Sequence, residues 1–301
     1  MSKKLSNLKN PTVSVLMPAY NAEKYIAESI ESILNQTFSD FEFIIINDGS
    51  TDNTAKIVRE YAHRDSRIKF IDNKKNAGLI AVLNQGLDLC VGEYIARMDS
   101  DDISLPNRFD EQVKYLNANP KCGVVSGGYQ MFGTVDKSVL LPERVKILDL
   151  LNGCCVCHPL VMIRKSVIDK YNFRYDSNFK CAEDYELWSR MVMVCGIENI
   201  NKILLKYRWH GNNISVVSSV AQQQVSENIR TKMIKKLTDD YMTRLKLSQK
   251  YNQYLFGFIP LFRIKQKRIY LFCFIPFLKL RGKWWNLFGI IPFIKNQEIK
   301  K

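Results

Sequence analysis

The chain has 301 residues, 46% of them hydrophobic, enough for one large α/β domain with an appendage. No stretch reaches the roughly 18 uninterrupted apolar residues of a membrane-spanning helix, so a bundle of spanning helices is not expected. The net charge of +14 is uneven: residues 251–301 hold ten Lys or Arg against one Glu, leaving an ordinary balance in the body and a strongly basic tail.

The first ten residues, Met1 to Asn10, are polar and basic with no apolar run behind them, so no secretory signal is expected. A cytoplasmic location follows, and the eight cysteines are then expected as reduced thiols rather than a disulfide framework.

In chain order, Val13 to Met17 reads as a short buried strand closing at Pro18-Ala19-Tyr20-Asn21. Ala22, Tyr25, Ile26, Ile30, Ile33 and Leu34 then fall at helical spacing. Phe41 to Ile46 is a second apolar strand, followed by the turn Asn47 to Asp52 and a helix to His63. Ile68 to Ile71 predicts a third strand, Leu79 to Cys90 a helix, and Glu93 to Met98 a fourth strand. Alternation at this spacing implies a parallel sheet wrapped by helices, with Asp48 and Asp99-Ser100-Asp101-Asp102 both at strand carboxyl ends.

Three carboxylates in four residues repel one another, and burial sharpens the repulsion. They suit a hard cation such as Mg²⁺ or Mn²⁺, or else a solvated acidic turn ahead of a helix beginning near Leu105-Pro106. Composition does not separate these two readings.

The stretch VSVLMPAYNAEKYIAESIESILNQTFSDFEFIIINDGSTDNT, followed by NAGLIAVLNQGLDLCVGEYIARMDSDD, resembles the nucleotide-sugar half of family 2 glycosyltransferases of the GT-A fold. CAEDYELWSRM is similar to that family's acceptor-side Glu-Asp motif, and YRWHGNNIS to its closing segment; the likeness runs from Thr12 to Ser215 in consistent order. The resemblance implies a GT-A catalytic domain over 1–219, mostly parallel in its sheet; residues 220–250, polar and helical in character, read as a connector packed on it. It implies an inverting, metal-dependent hexosyl- or N-acetylhexosaminyltransferase. The donor would be a nucleoside diphosphate sugar, with uridine diphosphate the carrier, and the acceptor a hydroxyl of a glycan or glycolipid. Assembly of lipopolysaccharide, lipooligosaccharide or capsule is the implied setting.

Residue roles follow from the same motifs. Asp101 matches a ligand of Mn²⁺ or Mg²⁺, and His210 stands where it would complete the metal shell. Asp99 and Ser100 belong to the donor site, Asp99 toward ribose hydroxyls, while Asp102 orients the turn. Asp48 matches the position that accepts from the base N–H, with Pro18 and Tyr20 beside it and the Tyr20 ring over the base. Asp184 occupies the general-base position, since an acceptor hydroxyl is a poor nucleophile without one, and Glu183 beside it supports it. His158 and Trp188 are assigned to the acceptor side.

Cys154-Cys155-Val156-Cys157-His158 formally matches a haem-attachment pattern, but there is one copy and Pro159 follows at once, so a His-Pro turn is expected instead. His63 reads as a solvated helix-end residue. After Lys250 a repeat of period 16 appears: LFGFIPLF at Leu255, LFCFIPFL at Leu271 and LFGIIPFI at Leu287, each trailed by Lys or Arg. Such aromatic, basic runs suit an anionic membrane surface, so residues 251–301 are expected to form a helical extension that holds the enzyme peripherally on the inner membrane face. Two rivals are disfavoured. A nucleic-acid-binding module would spread its basic residues over the body, and a sugar nucleotidyltransferase would carry a Gly-rich phosphate loop where Pro18 to Asn21 stands.

Overall fold

The structure is a computed structural model that describes residues 10–210, 213, 219–250, 262–265, 268–271, 278–280 and 283–285. The first half alternates as expected: β1 (Val13–Ala19), α1 (Ile26–Leu34), β2 (Phe41–Asp48), α2 (Thr54–Arg64), β3 (Ile68–Asn73), α3 (Leu79–Leu89) and β4 (Tyr94–Arg97). After the acidic stretch come the two-residue strand β5 (Ile103–Ser104) and α4 (Arg108–Ala118). The second half holds β6 (Cys122–Gly133), β7 (Lys137–Val139), β8 (Arg144–Val145), α5 (Ile147–Asn152), β9 (Met162–Arg164), α6 (Lys165–Tyr171), α7 (Glu183–Met191) and β10 (Gly196–Trp209). The long helix α8 (Ser219–Lys250) follows.

One ten-stranded sheet orders these as β3-β2-β1-β4-β9-β6-β10-β5, with β7 on β6 and β8 on β10. The β3-β2-β1-β4 half is parallel throughout. The other half is mixed: β9 runs antiparallel to both β4 and β6, and β5 antiparallel to β10, while β6 and β10 are parallel. The first half therefore matches the expected pattern, and the second departs from it: β9 lies antiparallel between β4 and β6, and β7 turns straight back on β6.

Every residue of β1 and β2 is buried, as central parallel strands covered on both faces should be. Alternation along β1 sends Val13, Val15 and Met17 to one face, with Ile26, Ile30 and Ile33 of α1 and Phe109 of α4. Leu16 goes to the other, with Val82, Leu83 and Leu87 of α3. There α3 lies so close that a Cβ on Gly86 would come 2.1 Å from Leu16 Cδ1. A side chain at residue 86 would push the helix off the sheet.

The chain divides into two compact units, Met1–Lys235 and Lys236–Lys301. The first half of α8, read from sequence as a connector, lies in the first unit. Val225, Ile229 and Met233, four residues apart, pack into the cluster that holds Leu187 and Trp188. In the second unit the described tail residues form two antiparallel strand pairs, not the expected helical extension. These are β11 (Phe262–Lys265) with β12 (Arg268–Leu271), and β13 (Leu278–Leu280) with β14 (Lys283–Trp285). The alternation Phe-Arg-Ile-Lys is strand periodicity, which the proline-punctuated repeat had obscured. Most of the repeat itself lies outside the described residues. Among the described residues, no helix is long and apolar enough to cross a membrane.

Candidate active site

The pairing of β4 with β1 ends at Arg97 opposite Leu16, whereas β1 continues along β2 to Ala19. The sheet therefore opens at the carboxyl ends of β1 and β4, the usual place for a ligand in such a fold. Into that opening the chain delivers Asp99, Ser100, Asp101 and Asp102. Pro18 is buried on the part of β1 past its last pair with β4, where its missing N–H leaves no ladder bond unmade. Tyr20, just beyond, is 51% exposed, its ring open to a ligand.

Two loops form the wall beside Tyr20. The Asn21 N–H donates to Ser50 Oγ at 2.9 Å, and the Thr51 N–H donates to Asn21 Oδ1 at 2.9 Å. Asp48 is buried at the end of β2, and its two oxygens accept from the N–H groups of Ala77 (2.8 Å) and Gly78 (2.9 Å). It thus fixes the loop before α3, and each oxygen keeps a second acceptor position for a base N–H. Gly49 follows at φ +67°, against the Lys75 backbone, where a Cβ would lie 2.6 Å from a carbonyl carbon.

The acidic stretch is tightly held. Asp102 is 1% exposed; its Oδ1 accepts from the Arg208 N–H at 2.7 Å, and its carbonyl accepts from the Ser29 hydroxyl at 2.7 Å. The Asp101 carbonyl accepts from Arg208 Nε at 2.7 Å, and Asp101 Oδ2 lies 3.1 Å from His210 Nε2. The His210 ring stacks on Tyr25 with centroids 5.5 Å apart. Asp99 pairs with Arg97 at 2.5 Å. One oxygen from each of Asp99, Asp101 and Asp102 lies within 4.8 Å of the others, and Asp102 Oδ2 is buried with no hydrogen-bond partner.

Burial pushes the Asp101 and Asp102 carboxyls above the ordinary carboxylate range, and Asp99 pushes them further; His210 opposes this at Asp101. Three converging hard oxygens, one of them orphaned, fit a divalent cation such as Mg²⁺ or Mn²⁺. The solvated-turn alternative does not fit an Asp102 that is almost wholly buried.

The repulsion makes a stability prediction. A carboxyl whose pKa is raised by folding binds protons more readily folded than unfolded. Stability is therefore lost as pH rises from the ordinary carboxylate value through the raised one, and the loss is complete above it. Asp102→Asn removes one charge, keeping an acceptor for the Arg208 N–H. It should raise the thermal midpoint near neutral pH in chelating buffer, by about 2–4 °C per kcal/mol relieved. The gain should shrink at low pH and on adding Mn²⁺, and calorimetry across pH measures it.

The Glu183-Asp184 pair sits at the start of α7. Glu183 is buried and Asp184 half-buried. Burial raises both carboxyls above their ordinary values; Asp184 adds to the effect on Glu183, and Asp99 adds to that on Asp184. Arg97 opposes the rise at both. Asp184 Oδ2 lies 4.0 Å from Cys154 Sγ, in the wall of a cavity of about 330 Å³.

His158 and Trp188 stand behind this surface. His158 is buried, with Nε2 2.9 Å from the Tyr175 hydroxyl, and burial, with Arg97 adding, pushes its pKa well below the ordinary value. It is therefore neutral. Trp188 is fully buried, its ring edge-on to His158 with centroids 6.0 Å apart. Both are packed in the core rather than presenting a surface to a ligand. His63 ends α2 as an exposed residue.

Arg97 was missed from sequence and is the charge at the centre of the site. It is 4% exposed, and its Nε and Nη1 have no acceptor. Burial works against its charge, yet Asp99 holds the guanidinium above its ordinary pKa. Its field reaches Asp101, Asp102, Glu183, Asp184 and His158. A lone cation in an otherwise apolar strand was the available signal, because a buried charge requires a partner. Arg208 was also missed: it spans Asp101, Asp102 and Glu28 and lies 4.5 Å over the Tyr25 ring.

The mixed sheet with helices on both faces, open at β1 and β4, is the nucleotide-binding architecture of GT-A glycosyltransferases. Sequence comparison agrees, as the family model "Glycosyl transferase family 2" matches residues 14–171. The chain is 36% identical to the Escherichia coli O-antigen biosynthesis glycosyltransferase WbnJ, over 75% of this chain and 90% of that protein. It belongs to glycosyl transferase family 2. In fold it is similar to S. aureus TarS 1-349 in complex with UDP-GlcNAc, with a TM-score of 0.62, 23% identity, and coverage of 72% of this chain and 65% of that one. It is also similar to the mannosyltransferase PcManGT from Pyrobaculum calidifontis in complex with GDP-Man and Mn²⁺. There the TM-score is 0.55 at 18% identity, over 70% of this chain and 60% of that one. The chain thus spans under two thirds of either solved structure.

Proposed function

We propose that the protein transfers a sugar from a nucleoside diphosphate sugar, a uridine diphosphate sugar first among candidates, to a hydroxyl of a glycan or glycolipid, with inversion at the anomeric carbon. One observation carries this reading: one oxygen from each of Asp99, Asp101 and Asp102 converges at the carboxyl end of β4, where the sheet of this family 2 chain opens. Those carboxylates then face the donor and Asp184, at the start of α7, faces the acceptor, as direct displacement requires.

In this reading Tyr20 covers the base, Asp48 accepts from its N–H, and Pro18 and Ser100 border the nucleotide. Asp99, held by Arg97, accepts from the ribose. Asp101 and His210 would hold Mn²⁺ or Mg²⁺, with the orphaned oxygen of Asp102 beside them. What such a cation supplies when bound is neutralisation of the charge on the departing diphosphate. Asp184 takes the proton of the acceptor hydroxyl as the new bond to the anomeric carbon forms and the bond to the phosphate oxygen breaks. Arg97 opposes the rise that burial imposes on Asp184, and Glu183 orients the acceptor.

Thermal-shift titration with a panel of nucleotide sugars, with and without Mn²⁺, tests the donor assignment. One donor should stand out, by about 2.7 kcal/mol of stabilisation at a hundred times its dissociation constant. A flat panel would remove the nucleotide-sugar reading.

Residues 251–301 supply the membrane contact in this proposal, on the strength of their aromatic and basic sequence. Each cation near an anionic surface contributes about 1 kcal/mol, to which ring burial adds. Full-length protein should pellet with phosphatidylglycerol vesicles and release only partly in high salt. Trp284→Ser with Trp285→Ser should reduce the salt-resistant share most. Protein that ignores the vesicles would leave the tail without a membrane role.

A further inference from the structure

The cavity beside Asp184 has two walls. Asp184 and Tyr185 come from α7, while Gln222, Gln223, Ser226 and Arg230 come from α8. α8 is seated by Val225, Ile229 and Met233 in the core cluster. Gln222, Ser226 and Arg230, also four residues apart, therefore share an adjoining stripe of the helix. None of these α8 residues belongs to the family motifs, and the family match ends at residue 171.

Arg230 is only partly engaged. Nη1 pairs with the largely exposed Glu227 at 2.9 Å, and the guanidinium's charge also reaches the Tyr185 hydroxyl. Its Nε is buried and has no acceptor. The rest of the guanidinium is partly exposed at the cavity wall, and Glu227 is too exposed to neutralise it fully, so an anionic oxygen suits it better than a neutral one. A planar guanidinium fork also matches carboxylate and phosphate geometry. The amides and hydroxyl of Gln222, Gln223 and Ser226 suit sugar hydroxyls, and about 330 Å³ suits one ring.

We infer that this cavity is an acceptor subsite for a sugar ring bearing an anionic group, a carboxylate or a phosphate, held by Arg230 while the reacting hydroxyl meets Asp184. The inference rests on reading Asp184 as the base. It makes α8 the element that selects the acceptor and the β1–β4 opening the element that selects the donor.

Saturation-transfer NMR titrations of full-length protein with methyl β-D-glucuronide, glucose 6-phosphate and neutral methyl β-D-glucoside test it. At least one anionic probe should bind tenfold or more tightly than the glucoside, and which one does so separates carboxylate from phosphate. Arg230→Gln should abolish that preference. So should Gln223→Glu, which puts a repelling charge at an exposed position of the cavity wall without touching the residues that seat α8. The loss should fall on the anionic probe far more than on the glucoside. Equal binding of the three probes, no binding of either anionic one, or a preference surviving in both variants would overturn the inference. A parallel titration with UDP and Mn²⁺ separates this from the donor reading. Arg230→Gln should bind UDP as the parent does, and a parent that binds an anionic glycoside but not UDP would contradict the donor assignment alone.

Discussion

Asp184→Asn is expected to leave nucleotide-sugar binding intact while transfer falls about 10²- to 10⁴-fold, the usual worth of a positioned base. Asn keeps the shape of the side chain and an oxygen for the Tyr185 N–H, but it cannot take a proton. Single-turnover rates at saturating donor, with donor affinity measured separately, distinguish lost chemistry from lost binding. Near-parental transfer would move the base to Glu183. The parent's pH profile carries a matching signature. Because burial raises Asp184 above the ordinary carboxylate range, the acid limb of the rate should lie above that range, with activity rising as pH climbs through it. Removing the opposing cation, as in Arg97→Gln, should move the limb to higher pH.

The second large effect is at the acidic stretch. Asp101→Ala is expected to abolish the Mn²⁺-dependent part of donor binding, so the donor-induced thermal shift seen with metal should fall to its metal-free value. The substitution removes an oxygen from a cluster in which three carboxylates converge, and it frees His210 from its contact at 3.1 Å. Folding should survive, since the Arg208 Nε bond to residue 101 is made by the backbone carbonyl. Normal Mn²⁺-dependent turnover in this variant would refute the assignment of the stretch.

The parallel half of the sheet was legible because Val13–Ala19, Phe41–Asp48 and Tyr94–Arg97 are apolar runs cut by turn residues, and local pattern suffices for buried strands. β5 was not, since two residues carry no period; it forms because Leu205 and Lys206 of β10 offer a partner. Asp101 and Asp184 are singled out by motifs, which fix residue types but not neighbours. That Asp48 spends both oxygens on the Ala77-Gly78 turn, that Trp188 supports His158 from the core, and that Arg97 sits between two sets of carboxylates are all tertiary facts. Each depends on residues at least 29 positions apart, or on burial, which spacing does not encode. The α8 contribution was hidden for the same reason: Arg230 reaches Asp184's cavity only through helix packing.

The most direct measurement is the anomeric configuration of the product, read by NMR from the coupling of its anomeric proton. With an α-linked uridine diphosphate sugar as donor and Asp184 as the sole base, one displacement occurs and the product must be β-linked. An α-linked product would require two displacements or another mechanism altogether, and would contradict the account.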